Sequence, residues 1–304
     1  MRFWVGVTDN HWFDFLAARE LDEVNFWQPS GIPPFANAPV GLPFLFKLKR
    51  PFNHVAGGGF YVTFSALPLA LAWEVFGAKN GAGTLNEFRE LISPLIAGHN
   101  QQGLIGCTIL SNPFFFDKED WIGELPGWSP NIVRGKMFDT DREDGRTIWE
   151  SVGRRIAGGA IPKDATMESP GSYGTPVLMR PRLGQGAFRV LVTDAYRRRC
   201  AFTGENTLVA LEAAHIVPFS VRSDHDVRNG LLLRADFHRL FDMGLVSVAP
   251  DFRIKVSPRI REAWFNGKIY YALDGKPLSI LPERDDLRPD PDRLRWHNKE
   301  VFQA

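Results

Sequence analysis

The stretch EAAHIVPFS at residues 212–220, followed by DVRNGLLLRADFHRLFD at residues 226–242, decides the fold of the second half of this 304-residue chain. Asn229-Gly230 is a strong turn signal, and the apolar run after it predicts a short strand. An earlier strand, which ends near His215, is expected on the other side of the loop that leads to this turn. The residues that close the stretch recur at helical spacing: Phe237, Leu240 and Phe241. We therefore expect a strand, a loop, a second strand and a helix.

Three polar residues of this stretch, His215, Asn229 and His238, stand 14 and then 9 residues apart. Imidazole suits a general base because its unperturbed pKa lies near the working pH. His238 and Asp242 fall one turn apart on one face of the predicted helix, and together they form half of a site for a divalent metal. A base and a cation are what the hydrolysis of a phosphodiester requires. The pattern therefore favours a hydrolase.

These residues resemble the HNH nuclease motif, and the resemblance implies a ββα-metal domain. In such a domain His215 is the general base, Asn229 ties the loop to the active-site strand, and His238 is a metal ligand. Asp242 falls where some relatives carry a second ligand. The implied cofactor is one divalent metal, Mg²⁺ or Mn²⁺, with Ni²⁺ or Co²⁺ as alternatives.

One position departs from the family pattern. Many HNH enzymes place Asp or His immediately before the base, and here that residue is Ala214, which cannot coordinate a metal. Either His238 and Asp242 hold the metal together with water and phosphate oxygens, or Glu212 reaches in. Some relatives also open a zinc knuckle at the position of Cys200, but its second cysteine is replaced here by Thr203, so no structural zinc is expected.

Arginines crowd the entrance to the motif. Arg197 and Arg198 precede it and Arg234 lies within it, and we expect these three to contact DNA phosphates. The pattern from about Gln185 to Arg198 also indicates an amphipathic helix, for which an arginine face is simply solvated. Both interpretations are compatible, with one face packed and the other on DNA.

Composition is that of a folded protein outside membranes. The chain has 44% hydrophobic residues and only two cysteines, Cys107 and Cys200, which are far apart. No uninterrupted apolar run reaches membrane length. The N-terminus lacks a signal-peptide pattern. Disulfides are not expected, and we predict a cytoplasmic protein with no membrane partner.

The chain divides into two predicted domains joined by a linker. Residues 158–178 are rich in Gly, Pro and small polar residues, which is typical of a linker. A mixed, mostly β domain is predicted for residues 1–157, and the nuclease domain for residues 179–304. Before the linker, four strand-like runs and three helices are predicted. The strands are expected at residues 3–7, 43–49, 58–65 and 104–110, and the helices at 11–18, 68–76 and 85–96.

The first domain resembles the EVE domain of the PUA-like superfamily. The resemblance is carried by FWVGVTDNHWFDFL (3–16), VNFWQPSG (24–31), PFLFKLKRP (43–51), VAGGGFYVTFSALPLALAWEVFG (55–77) and WSPNIVRGK (128–136). It implies a curved β-barrel with helices, which holds a modified, flipped-out base in a pocket. The fold class expected for the whole chain is therefore α+β.

A flipped base needs stacking surfaces and a few polar groups at its edge. Trp27 is predicted to lie in a polar loop and is the first candidate for the pocket. Trp12, Asp9, Asn10 and Ser30 are further candidates, although core packing is the competing interpretation for Trp12.

Taken together, the two resemblances predict a modification-dependent DNA endonuclease. It would recognise 5-methylcytosine or 5-hydroxymethylcytosine in double-stranded DNA by base flipping. A homodimer is expected, because one HNH site cuts one strand. Three alternatives stay open: a catalytically weak reader of modified nucleic acid, an HNH nicking enzyme without modification dependence, and action on RNA.

Overall fold

The computed structural model describes residues 1–35, 37–96, 103–123, 125–157 and 183–304. The chain forms two compact units, Met1–Gly184 and Gln185–Ala304. The predicted linker at 158–178 lies outside the described residues. Among the described residues, no helix is long and apolar enough to cross a membrane.

The first unit is built on a six-stranded mixed sheet. Its strands are β1 (Arg2–Thr8), β2 (Glu23–Gln28), β3 (Pro43–Leu48), β4 (Val55–Pro68), β5 (Leu104–Phe115) and β6 (Gly135–Asp139). Their order is β2-β5-β4-β3-β1-β6. The β1–β3 pair is parallel and the other pairs are antiparallel. Within the described residues the ladder ends at β2 and β6 without pairing these two strands, so closure into a barrel stays a prediction.

Four helices accompany this sheet: α1 (Asn10–Ala17), α2 (Leu69–Phe76), α3 (Leu85–Ile96) and α4 (Glu143–Ala157). The first three lie within one residue of the predicted helices at each end. The four predicted strands are also present; β4 and β5 extend furthest beyond the predicted bounds, and β1 extends by one residue at each end. Two strands, β2 and β6, and helix α4 were not predicted.

Alternation along the strands separates two hydrophobic cores. On β1, Trp4 contributes to one core, while Phe3 and Val5 contribute to the other. The first core also holds residues of α1, and the second holds Ile148 and Val152 of α4. Successive side chains of a strand point to opposite faces, so both faces of the sheet carry a core.

The triple glycine of β4 serves sheet packing. Gly57, Gly58 and Gly59 permit close approach of backbone, and at Gly57 the approaching backbone is that of β5. A Cβ on Gly57 would collide with the carbonyl oxygen of Phe114. This glycine therefore lets two strands approach closely where any side chain would separate them.

The second unit combines short strands and helices. It contains α5 (Gln185–Ala195), β7 (Leu211–His215), α6 (Phe219–Arg222), β8 (Gly230–Arg234), α7 (Ala235–Asp242), β9 (Val246–Val248), β10 (Ile254–Val256), α8 (Arg259–Trp264), α9 (Lys268–Tyr271) and α10 (Pro291–Glu300). Strands β7 and β8 pair antiparallel, as do β9 and β10. The sequence GKIYYALDGKPLSI at residues 267–280, with Asp274-Gly275 as its turn signal, predicts a hairpin; this is wrong, because its first half forms the short helix α9.

The ββα order of the second unit is that expected from its sequence. Helix α7 follows β8 directly and buries Phe237 and Phe241 in the core of this unit. The same core includes Leu231, Leu232 and Leu233 of β8. Because β8 and α7 are anchored by consecutive buried residues, the polar side chains at the strand end and on the exposed side of the helix have fixed positions.

Candidate active site

Pairing of β7 with β8 brings the ends of the motif together. His215, the last residue of β7, stands opposite Gly230, the first residue of β8. Asn229 immediately precedes Gly230 and is fully buried. A Cβ at Gly230 would collide with Val192 of α5, so the strand can start here only with glycine in place.

Asn229 clamps the segment that follows His215. Its side-chain amide donates to the carbonyl oxygen of Val217, and its Oδ1 accepts from the amide of Val217, both at 2.9 Å. Its own carbonyl oxygen accepts from the amide of Ile216 at 2.8 Å. These three hydrogen bonds fix the two residues after His215 relative to the start of β8.

The His215 ring is half-buried and stacked. It lies on the ring of Phe188 with 4.0 Å between centroids and 10° between planes. Burial and the neighbouring His225 lower the pKa of His215 to about 4, with a smaller contribution from His238 and an opposing one from Asp224. At neutral pH the ring is therefore uncharged, the state that a general base requires.

His225 is a member of the site that the sequence did not reveal. Its Nδ1 lies 3.2 Å from Nε2 of His215. Its ring stacks on Phe219 with 4.4 Å between centroids. When Nε2 of His215 carries the proton and donates to His225, Nδ1 of His215 has the free lone pair. No spacing rule marks His225, because it lies in the loop between β7 and β8.

Both nitrogens of His238 face carboxylates. Nδ1 lies 2.6 Å from Oε2 of Glu212 on β7, and Nε2 lies 3.4 Å from Oδ2 of Asp242 on α7. Burial raises the pKa of Asp242, and the Glu212 charge adds to this while His238 opposes it. Glu212 is thus the carboxylate that accompanies His238, while Ala214, directly before His215, offers no ligand atom in its side chain.

The donor chemistry of this cluster fits a divalent cation. Imidazole nitrogen and carboxylate oxygen suit Mg²⁺, Mn²⁺, Ni²⁺ and Co²⁺ to different degrees. Among the described residues, however, no group of three or more His, Cys, Asp or Glu side chains is arranged to hold a metal. Nε2 of His238 faces Asp242 while its Nδ1 is bonded to Glu212, and a metal held by His238 and Asp242 stays a prediction.

The three arginines predicted for DNA are engaged in ion pairs. Arg197 pairs with Glu283 at 2.6 Å and Arg198 with Asp194 at 3.4 Å. Arg234 makes two hydrogen bonds of 2.7 Å to Asp236. Pairs as exposed as those of Arg197 and Arg198 contribute little free energy, so phosphates can displace these carboxylates at small cost.

The aromatic candidates for a base pocket have structural contacts. Trp27 lies in β2, so its prediction as a loop residue is wrong, and its Nε1 donates to the carbonyl oxygen of Asn80 at 2.9 Å. Trp12 is only 3% exposed and donates to the carbonyl oxygen of Asn25. The polar residues of β2 led to the prediction of a loop. They belong to a strand in which alternate side chains face a hydrophobic core.

The polar candidates organise turns. Asp9 caps α1 by accepting from the amides of His11 and Trp12, and it pairs with Lys49 at 2.9 Å. The side chain of Asn10 bonds to the backbone of the turn after β3. Ser30 accepts from the backbone amide two residues later. Each candidate has an intramolecular partner, and their role in a base pocket stays a prediction.

Comparison with known proteins gives one family match. Residues 200–249 match the family model described as HNH endonuclease. No curated protein matched the chain. The match spans β7, β8 and α7, and so covers His215, Asn229, His238 and Asp242.

Similar solved structures are distant. Two mutants of the ZmASCH protein from Zymomonas mobilis each cover 49% of this chain and 96% and 94% of their own, at 12% and 9% identity and TM-scores of 0.34 and 0.33. The structure titled modification dependent TagI restriction endonuclease covers 94% of this chain and 78% of its own, at 14% identity and a TM-score of 0.30. All three TM-scores lie below 0.5, so these likenesses establish neither the fold nor the function of this chain. On the family match, this chain carries an HNH endonuclease domain at residues 200–249.

Proposed function

We propose that the protein is a modification-dependent DNA endonuclease, in which the second unit cuts and the first unit selects the target. The observation that carries the nuclease part is the neutral, half-buried His215 within the matched domain. Target selection rests on the sequence resemblance of the first unit to the EVE domain. The substrate proposed is double-stranded DNA carrying 5-methylcytosine or 5-hydroxymethylcytosine.

His215 takes a proton from the attacking water. The water oxygen forms a bond to phosphorus, the bond from phosphorus to the leaving oxygen breaks, and the leaving oxygen acquires a proton from solvent. The ring is ready for this task because its pKa of about 4 leaves it uncharged at neutral pH. Asn229 contributes as a positioning residue, since it fixes the backbone that follows His215.

His225 orients the base. Accepting a hydrogen bond at Nδ1 holds the proton of His215 on Nε2 and leaves the opposite nitrogen for the water. Once His215 is protonated, burial of the ring disfavours the charged form. The proton is therefore released readily, which prepares the site for another turnover.

His238 and Asp242 are the residues that would hold the divalent metal, with Glu212 bonded to His238. The metal, when bound, neutralises charge on the phosphate and on the leaving oxygen. The hydrogen bond from His238 to Glu212 sets the tautomer and ring orientation, as outer carboxylates do for ligating histidines elsewhere.

A double-strand break needs two cuts, because each chain carries one HNH site. We propose that two copies act together on DNA. One general base and one metal half-site act on one phosphodiester bond, so two copies are needed to cut both strands.

The test is digestion of matched plasmids that are unmodified, 5-methylated or 5-hydroxymethylated at cytosine, with Mg²⁺, Mn²⁺, Ni²⁺ or Co²⁺. We expect cleavage of modified plasmid only, and cleavage lowered by about a hundredfold or more with the His215→Ala variant. The matched control is His11→Ala, an exposed histidine of α1 in the first unit. Equal cleavage of the unmodified plasmid would remove the modification dependence and leave a general nuclease.

A second candidate is a reader with a weak nuclease, and Ala214 favours it, because a usual ligand position is empty. In that case modified DNA is bound selectively in a filter-binding assay, but no metal yields cleavage.

Competition between modified DNA and RNA in the same assay distinguishes a third candidate, an RNA-directed protein.

A further inference from the structure

A cavity of about 490 Å³ opens in the first unit beyond the ends of β1 and β3. One wall is basic and is formed by Lys47 at the end of β3 and by Lys49 and Arg50 in the turn after it. The opposite wall comes from the segment between β5 and β6 and includes Trp128 and Val133. None of the five residues predicted for the base pocket is among its lining residues.

Lys47 is the unusual member of this wall. It is only 5% exposed, and its Nζ lies 3.1 Å from Oδ1 of Asn53 and 3.4 Å from the carbonyl oxygen of Leu48. Both partners are neutral. Burial and the charge of Arg50 lower the pKa of Lys47. A buried cation is costly unless an anion accompanies it, so this ammonium group favours an anion entering the cavity.

The remaining charges add to the attraction. Lys49 pairs with Asp9 at 2.9 Å, so its charge is partly offset. Arg50 is exposed at the rim, and its planar guanidinium can accept a phosphate with two parallel hydrogen bonds. Among the described residues that line the cavity, none carries a carboxylate. With the negative charge of Asp9 included, the net charge of the basic wall is still positive.

Trp128 supplies an aromatic surface beside these cations. Its ring is partly buried and stacks on Phe138 with 12° between planes, and Nζ of Lys47 lies 5.0 Å from the ring centroid. Val133, 80% exposed, extends the apolar rim. Small-molecule sites commonly occupy about 300 to 1,000 Å³, so the cavity is large enough for one nucleotide.

We propose that this cavity binds a phosphate-bearing nucleotide, with its phosphate at Lys47, Lys49 and Arg50 and its base against Trp128. The site lies entirely within the first unit and does not depend on the cleavage reaction. Binding of a nucleotide in this cavity goes beyond the proposed function. Cations that bind a phosphate and an aromatic wall the size of a base accommodate a free nucleotide or a nucleotide of a DNA strand, whether or not the base is modified.

The test is isothermal titration calorimetry on the full chain carrying His215→Ala, in EDTA. The probes are deoxycytidine monophosphate, deoxyadenosine monophosphate, deoxycytidine and inorganic phosphate. We expect both monophosphates to bind more tightly than inorganic phosphate, and the nucleoside not to bind. If no probe binds, or if deoxycytidine binds as tightly as its monophosphate, the proposal is overturned.

Variants locate the site. Arg50→Gln and Lys49→Gln should each weaken monophosphate binding by about tenfold, the loss of one charge-assisted contact. Trp128→Leu should weaken binding of the monophosphates more than binding of inorganic phosphate, because the wall for the base is lost while Lys49 and Arg50 stay in place. The matched control is Arg89→Gln, an exposed arginine of α3 in the same unit. Unchanged affinity in Arg50→Gln, with its circular dichroism intact, would contradict the proposal. Because no cleavage is measured, failure of the nuclease does not affect this result.

Discussion

At His215, two influences act in the same direction on one ring. Burial against Phe188 removes the stabilisation of charge by water, and the imidazole of His225 opposes a second positive charge nearby. The consequence is an imidazole that stays neutral well below the pH at which an ordinary histidine becomes protonated. His225 therefore matters for the protonation of His215, although spacing in the sequence does not mark it.

Replacing the two histidines should separate their roles. We expect His215→Ala to lower cleavage by about a hundredfold to ten-thousandfold, because a general base is lost. His225→Ala should lower it less, and His225→Asn, which retains a hydrogen-bond acceptor, should recover part of the rate. Single-turnover cleavage rates measured from pH 5 to 8 report both effects. If His225→Ala matched the wild type in rate and pH profile, His225 would have no positioning role.

His297 makes stability depend on pH. Its ring is buried between Ser247 and the carbonyl oxygen of Phe241, and burial lowers its pKa to about 4, opposed by the bond to Phe241. Between pH 6.5 and 4 the unfolded chain therefore binds more protons than the folded one. The free energy of unfolding should fall as pH drops through this window, by up to about 3 kcal/mol.

Urea unfolding at pH 7 and pH 4.5 measures this loss. His297→Gln should be less stable at pH 7 and should show a smaller loss between the two pH values, since one proton-linked group is gone. His11→Gln, which alters an exposed histidine, is the control. A pH dependence unchanged in His297→Gln would show that other groups cause it, among them His215, whose lowered pKa acts in the same direction.

At the scale of elements, the site depends on the direct passage from β8 into α7. Consecutive buried leucines hold the strand, Phe237 and Phe241 hold the helix, and His238 and Asp242 then fall on the other side, one turn apart. Spacing alone predicted this much. It did not show that Glu212 of β7 bonds to His238, because that contact depends on how the helix packs against the strand pair.

Asp242 should be tested through metal dependence. We expect Asp242→Asn to raise the metal concentration needed for half-maximal cleavage by about tenfold or more, because one charged ligand is lost. DNA binding without metal should be unaffected. Asp251→Asn, in the turn between β9 and β10, is the matched control. An unchanged metal requirement would indicate that Asp242 is not a ligand.

At the scale of the whole molecule, the chain forms two separate compact units, and the matched HNH endonuclease domain lies in the second. The second unit carries Arg197 and Arg198 at the end of α5, close in sequence to the matched domain. Both have left-handed backbone at φ 54° and 58°, which follows from the sharp end of α5 before Cys200. Their ion pairs are exposed, and so the side chains can exchange a carboxylate for a phosphate.

Salt dependence reports this exchange. Arg197→Gln should weaken DNA binding equally for modified and unmodified duplexes, and it should reduce the slope of log affinity against log salt by about 0.9. Arg253→Gln, which alters an exposed arginine paired with Asp251 in the turn between β9 and β10, should change neither quantity. A loss confined to modified DNA would contradict a phosphate contact and assign Arg197 to base selection.

By itself, the sequence determined the HNH motif, the order β7, β8 and α7, and most helices of the first unit, because these depend on local spacing and on turn residues. Only the tertiary structure decided which polar groups meet. The fold brings His225 into contact with His215 and Glu212 into contact with His238. It also places Trp27 in a strand and forms the cavity that Lys47 lines. Each of these depends on contacts between residues distant in the chain, and local periodicity contains no information about them.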